Sequence, residues 1–487
     1  MDQWLFLVSV VLLLCVVTSK LLYRFGVPTL LIFMALGMLF GSEGPGGIQF
    51  DNYELTRDIC SVALIFIIFY GGFGTSWKLA RPVAAQAILM ASVGVIITAG
   101  LTGIFFSLVF GATLLEGLLI GSVVASTDAA SVFAILRSRA LNLKGGLASL
   151  LEVESGSNDP IAYMLTIIVL SLMQQNSETN LAVMVLQQVG LGLAIGAVLA
   201  WLTVKLLQRF ELEIEGLYSI LMIGVALFGY ELSNYGGGNG YLCVYVCGII
   251  LGNSRIPRKM MLVPFLDAVS WTMQIALFFT LGLLAVPSRL PEMILPGLAV
   301  FLFMLLVARP AATFSIMSWF RAYIRPQFFV SWVGLRGAAS IVFAIYAATA
   351  RPDLGMDIYH LVFMVCLLSI IVQGTFLPQI ARRLRLIDNS QSVFQSFTDY
   401  DEFATTELVE LVISPKNPFI GTALLDMEMP DGTLPVMLKR GRKTIIPNKT
   451  TVLKAGDRVV LSTRDRTRLE KEANAVRRRY RTKGIIK

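Results

Sequence analysis

Leu151-Glu152-Val153-Glu154-Ser155-Gly156-Ser157-Asn158-Asp159-Pro160 places three carboxylates, an amide and two hydroxyls inside an apolar stretch that runs from about residue 146 to 174. Helical spacing relates Glu154 to Asn158 and Ser155 to Asp159 (i, i+4), so these four groups share one face. An ionisable group at a bilayer midplane costs roughly 2.5 to 3.5 kcal/mol on insertion scales, so that face points into protein or water and does work there. Pro160 has no N–H for the carbonyl of Gly156, which opens the backbone beside Asp159 and offers an oxygen to a ligand. Carboxylate, amide, hydroxyl and carbonyl oxygens suit a hard monovalent cation.

The rest of the chain makes this a membrane segment. Of its 487 residues 56% are apolar and 15% charged, against roughly 25% charged in soluble domains. Apolar runs recur to about residue 385, too many for a signal peptide, and the pattern predicts about thirteen spans. They are centred in 4–23, 27–41, 59–76, 83–110, 113–137, 146–174, 181–208, 216–233, 239–253, 263–286, 293–318, 328–349 and 358–381. Alternate loops carry Lys20 and Arg24, Lys78 and Arg81, Arg137 and Lys144, Lys205 and Arg209, Arg255 and Arg258, Arg321 and Arg325, then Arg382 and Arg383. The opposite loops carry little beyond Arg57, Arg289 and Arg351, so the N-terminus is expected outside and the C-terminus in the cytoplasm. The net charge of +8 reflects this topology and needs no nucleic-acid partner.

Two further spans are interrupted. Ser126-Thr127-Asp128 lies in the middle of the fifth, where Ser126, Thr127 and Ser131 can satisfy broken backbone, and Gly334-Leu335-Arg336-Gly337 lies in the twelfth. If spans 1–6 and 8–13 are repeats, the second copy is inverted, and interrupted helices at matching places mark the midplane site of a transporter. Asp159 is the residue expected to exchange, because burial penalises a bare carboxylate and either a proton or a cation relieves it. A buried guanidinium needs a carboxylate, so a Glu154–Arg336 ion pair is expected to hold the site together. Glu152, about 10 Å nearer the cytoplasm by helical rise, is the candidate entrance. Arg309, before Pro310, and Glu231 are read as structural, and His360, at the outer surface, is assigned no role. Cys15, Cys60, Cys243, Cys247 and Cys366 all fall in apolar segments and are read as small packed residues rather than metal ligands.

From about Asp388 the composition becomes that of a soluble unit. Thr406 to Ile413, Pro435 to Leu438 and Arg458 to Ser462 read as strands, with turns at Pro415 to Pro418 and at Ala455-Gly456-Asp457. The expected division is a membrane domain over 1–386, a linker over 387–402, a regulatory domain over 403–470 and a basic tail over 471–487.

Ser126-Thr-Asp-Ala-Ala-Ser-Val-Phe133, Leu151-Glu-Val-Glu-Ser-Gly-Ser-Asn-Asp-Pro160 and Val333-Gly-Leu-Arg-Gly-Ala338 together resemble the monovalent cation/proton antiporters of the NhaP type. The resemblance implies an all-α polytopic membrane protein with two inverted six-helix repeats and crossed interrupted helices, followed by a small α+β cytoplasmic domain. It implies a cation and proton site at Asp159, Asn158, Ser155, Thr127 and Asp128, with K⁺ or Na⁺ held at Asp159, Thr127 and Ser155. It also implies a homodimer in the bacterial inner membrane, elevator-like movement and, from Asn rather than a second Asp in the pair, electroneutral exchange. Phe403 to Leu469 resembles a TrkA-C (RCK-C) domain, which implies a small regulatory ligand of nucleotide type, a potassium substrate and a part in pH and volume control. No enzyme activity and no cofactor are expected. Na⁺/H⁺ exchange is the nearest alternative. An RCK-gated channel would need a filter of carbonyl loops, which is not seen, and a non-transporting sensor would have no use for an intact Asn158-Asp159.

Overall fold

The computed structural model describes residues 9–18, 29–139, 141–174, 180–210, 212–351, 357–387, 407–413, 420–421, 433–441, 443–448 and 451–463. The chain divides into two compact units, 1–391 and 392–487, each taken by itself.

The first unit is helical. In chain order it contains α1 (Ser9–Thr18), α2 (Thr29–Phe40), α3 (Tyr53–Gly74), α4 (Trp77–Phe110), α5 (Leu114–Val124), α6 (Ala129–Ser138), α7 (Leu147–Met173) and α8 (Leu181–Arg209). There follow α9 (Gly216–Tyr235), α10 (Gly240–Asn253), α11 (Lys259–Leu284), α12 (Pro287–Trp319), α13 (Ile324–Trp332), α14 (Ala338–Ala350) and α15 (Ile358–Arg383). Among the described residues nine helical stretches are long and apolar enough to cross a membrane, α5 and α6 counting together as Leu114–Leu136. Four shorter apolar helices, α1, α2, α10 and α14, accompany them. The chain is thus a helical polytopic membrane protein.

Helix ends follow local chemistry more than hydropathy. α3 begins six residues before the apolar run, because the Asn52 side chain caps it by accepting the Leu55 N–H at 2.9 Å. Thr113 and Glu116 form a reciprocal capping box at the start of α5. α7 runs unbroken through Pro160, whose own carbonyl accepts from Asn239 Nδ2 at 2.7 Å. Among the described residues three helices contain a π-helical turn: Met90–Gly94 in α4, Met304–Ala308 in α12 and Ile370–Gly374 in α15. All five cysteines are buried.

The second unit holds a four-stranded antiparallel sheet in the order β1-β4-β2-β3, with β1 Glu407–Val412, β2 Thr433–Arg440, β3 Lys443–Ile445 and β4 Arg458–Thr463. Pro435 cannot donate to the ladder, and the β2–β4 register shifts there. The short strand β3 is absent from the sequence reading, and the turn at 415–418 and the tail from 471 lie outside the described residues. The turn before β4 carries Gly456 at φ 86°. Behind it, the inaccessible carboxylate of Asp457 receives both Nε and Nη2 of Arg440, at 2.8 and 2.7 Å, and the Lys454 N–H at 2.8 Å. The Arg440 hydrogen bonds outweigh burial and hold Asp457 below the usual carboxylate range. A depressed carboxylate contributes stability above its unfolded value, about 4, and that stability is lost as pH falls through the lower folded value. Arg440→Ala should therefore speed amide exchange in β2 and β4 on the order of tenfold at neutral pH and remove the acid dependence of that protection. Unchanged exchange would show the pair to be inert.

Candidate cation site

α5 ends at Val124 and α6 begins at Ala129, and α13 ends at Trp332 and α14 begins at Ala338, so each pair leaves a short extended break inside the membrane unit. The breaks touch. The Asp128 N–H donates to the Leu335 carbonyl at 2.8 Å. Gly337 is there because a Cβ would sit 2.4 Å from the Asp128 Cβ, closer than real atoms approach.

Each broken helix exposes carbonyls at one end and N–H groups at the other, with partial charges of about half an electron. Arg336 answers the first: its Nη1 donates to Ala125 O at 2.6 Å and Ser126 O at 2.9 Å, the carbonyl end of α5. Asp128 answers the second, its carboxylate accepting the Ser131 N–H at 3.2 Å and the Ser131 hydroxyl at the start of α6. α15 steadies the second break: Ser369 Oγ accepts the Arg336 N–H at 2.9 Å, and Gln373 donates to Trp332 O at 2.7 Å.

The Glu154–Arg336 ion pair expected from the sequence is not the one formed. Glu154 pairs with Arg309, at 2.6 Å, both side chains being at most 4% exposed. Two features bring Arg309 in: the π turn Met304–Ala308 rotates the helix just before it, and Gly334 leaves room, since a Cβ there would lie 2.8 Å from Arg309 Nε. Arg336 is spent on carbonyls because it sits within the break itself. Arg309, read as structural, is indeed paired with an acid; hydropathy carries no signal for the π turn that aims it at Glu154 rather than elsewhere.

The remaining polar face of α7 meets the α5–α6 break. Ser155 Oγ donates to Thr127 O at 2.7 Å and accepts the Ala129 N–H at 2.8 Å, and Asn158 Nδ2 donates to Thr127 Oγ1. Asn158 Oδ1 is buried with no hydrogen-bond partner. Ser126, which the sequence reading gave only to backbone repair, donates its hydroxyl to Asp159 Oδ1. Asp159 is partly accessible, and among the described residues it makes no ion pair. Asp159, Asn158, Ser155, Thr127 and Asp128 are thus brought to one place. Glu152 is partly exposed, 3.4 Å from the Thr75 hydroxyl.

Residues 9–383 match the family described as sodium/hydrogen exchanger, transmembrane, and residues 408–470 match the TrkA-C domain. The chain belongs to the sodium/hydrogen exchanger family. Among its relatives in that family is the K(+)/H(+) antiporter NhaP2 of Shewanella sp. (strain ANA-3), 37% identical over 91% of this chain and 78% of the relative. The K(+)/H(+) antiporter NhaP of Alkalimonas amylolytica is 33% identical over 93% of this chain and 80% of its own. A solved exchanger, the sodium proton antiporter MjNhaP1 from Methanocaldococcus jannaschii, shares the fold with a TM-score of 0.70 over 79% of this chain and 99% of its own, at 22% identity.

Removing either side chain of a buried pair leaves an uncompensated charge, so Glu154→Ala and Arg309→Ala should each cost about 3–5 kcal/mol. The two should couple more strongly with each other than Glu154→Ala does with Arg336→Ala, read from thermal unfolding of the four variants of each cycle in detergent. Gly337→Ala should lower stability by at least about 2 kcal/mol through overpacking. Wild-type melting of that variant would mean the breaks do not touch.

Proposed function

We propose that the chain is a secondary antiporter exchanging K⁺ for H⁺, one for one, by competition of the two for Asp159. The observation that carries this is the contrast among the charges at the crossing. Glu154 is held by Arg309, Asp128 by Ser131 and Arg336 by carbonyls, whereas Asp159 has only a hydroxyl on it and lies beside the orphaned oxygen of Asn158.

A carboxylate only partly reached by solvent and without a counter-charge is costly to leave bare, so Asp159 is occupied by a proton or by a cation. The Asn158 Oδ1, the Ser126 hydroxyl and the Thr127 hydroxyl complete an oxygen shell, with Ser155 fixing Thr127 through its carbonyl. If the site changes sides only when occupied, movement of one ion requires return of the other. The proposed frame is thirteen spans in two inverted repeats, N-terminus outside and C-terminus in the cytoplasm of a bacterial inner membrane, assembled as a homodimer with an elevator-like mobile part. Glu152 lines the inner approach. Residues 403–470 act as an RCK-C unit that takes a small effector of nucleotide type, and the cell uses the exchange for cation, pH and volume control. Two relatives named K(+)/H(+) antiporters favour potassium. The Na(+)/H(+) antiporter ApNhaP of Aphanothece halophytica, 27% identical over 74% of this chain, keeps sodium as the second reading.

Purified protein in liposomes with an internal pH dye, pulsed with K⁺, Na⁺, Li⁺ or choline, tests both. K⁺ should move protons in the native protein, choline should not, and Asp159→Asn should be at least about a hundredfold slower. Equal signals from native and Asp159→Asn protein would remove Asp159 from the mechanism, and a response to Na⁺ alone would decide for the second reading.

A further inference from the structure

His360 is the chain's single histidine and is fully buried in the first turn of α15. Its Nδ1 lies 2.6 Å from Asp357 Oδ2, and its Nε2 lies 3.0 Å from the Val286 backbone nitrogen. Val286 brings an N–H, so Nε2 is the acceptor and carries no hydrogen. The ring proton is then on Nδ1 and is donated to Asp357, which makes the imidazole neutral. A second proton has one place to go, Nε2, where it would face the Val286 N–H. Protonation and the grip on Val286 exclude each other.

The surroundings supply the counter-charge for that proton. Asp357 caps α15, its Oδ1 accepting the His360 N–H at 3.2 Å, and its Oδ2 also pairs with Arg289 at 3.3 Å. Burial would raise the Asp357 carboxyl, but hydrogen bonds from the His360 ring, the His360 backbone and Arg289 hold it below the usual carboxylate range. A charged carboxylate therefore waits beside the ring. Its 22% exposure gives a proton a route from solvent. The other charged or titratable groups here, among the described residues, are Glu43, which holds Ser288 N at 2.7 Å and Ser288 Oγ at 2.5 Å, and the phenols of Tyr53 and Tyr359.

Val286 lies in the connection from α11 to α12. The Tyr359 hydroxyl donates to Leu281 O of α11 at 2.5 Å, and its ring stands edge-on to Tyr53 of α3 at 5.9 Å. Residues 357–360 therefore clasp the start of α15 to α3, to α11 and to that connection. Farther along the same helix, Ser369 and Gln373 hold the second break. One helix joins the clasp to the crossing that carries the cation site.

We infer that His360 is a second proton site, separate from Asp159 and not transported, at which a proton from the outer solution competes with the Val286 amide for Nε2. Acid outside then releases α15 from the α11–α12 connection and alters exchange. The side that is sensed and the effect on exchange rest on the antiporter reading, whereas the clasp itself does not.

Amide exchange of the full chain in lipid nanodiscs, corrected for intrinsic rate, reads the clasp without transport. From neutral to mildly acid medium the native amides of Val286, Ser288 and Arg289 should lose protection on the order of tenfold. His360→Gln, which can offer an oxygen to Val286 but takes no proton in this range, should keep that protection. In liposomes at fixed internal pH, native exchange should change at least about threefold over the same external range, His360→Gln should be flat, and Asp357→Asn should move the step to lower pH. Equal acid deprotection of native and His360→Gln protein, or native protection without pH dependence, overturns the inference even where Asp159→Asn still abolishes exchange. Should His360→Gln not fold, Asp357→Asn carries the same comparison: an unmoved deprotection step would overturn it.

Discussion

Two interrupted helices that meet inside an apolar slab create the central electrostatic problem of this chain. Four helix ends, two of carbonyls and two of amides, come together where no solvent is available to satisfy them. The contact from Asp128 N–H to Leu335 O joins the breaks, Arg336 neutralises the carbonyl end of α5, and Asp128 neutralises the amide end of α6. Beside these ends lies Asp159, which among the described residues makes no ion pair and accepts the Ser126 hydroxyl.

The packing around the crossing shows why it tolerates so many charges. Arg309 and Glu154 are nearly inaccessible and lie against each other, so their mutual attraction offsets a desolvation cost of several kcal/mol per ion. Ser155 donates to the Thr127 carbonyl and accepts the Ala129 N–H at the α5–α6 break, and Ser369 accepts the Arg336 N–H in the α13–α14 break. Small hydroxyls at these positions replace the missing turns of helix, which lets the breaks stay narrow enough for α7 to bring Asn158 and Asp159 alongside.

Much of this could be read from the residues alone, for a physical reason. Carboxylates, amides and glycines within apolar runs are conspicuous, so Asp159, Asn158 and the two breaks stood out, as did the change of composition near Asp388. The partner of Glu154 did not, because a π turn shifts the facing of Arg309 without leaving a mark on the hydropathy pattern. The start of α3 lies ahead of its apolar run because a capped polar turn leads into it, which hydropathy does not show. β3 went unseen because Lys443–Ile445 is too short to show alternation. His360 looked idle in sequence because its partners are a near neighbour on its own turn and a backbone amide 74 positions away.

The π turns have one more implication. Each holds one residue beyond the α-helical repeat, so the side chains after it are turned by about 100° relative to an uninterrupted helix. A stripe of side chains is carried about a quarter-turn round the helix, with almost no added length. In α12 this turns Arg309, which follows directly, toward the crossing, and in α15 the π turn itself contains Gln373, which donates to Trp332 O. Loss of one residue from either turn would leave a straight, apolar, membrane-compatible helix whose inner half presents the wrong side.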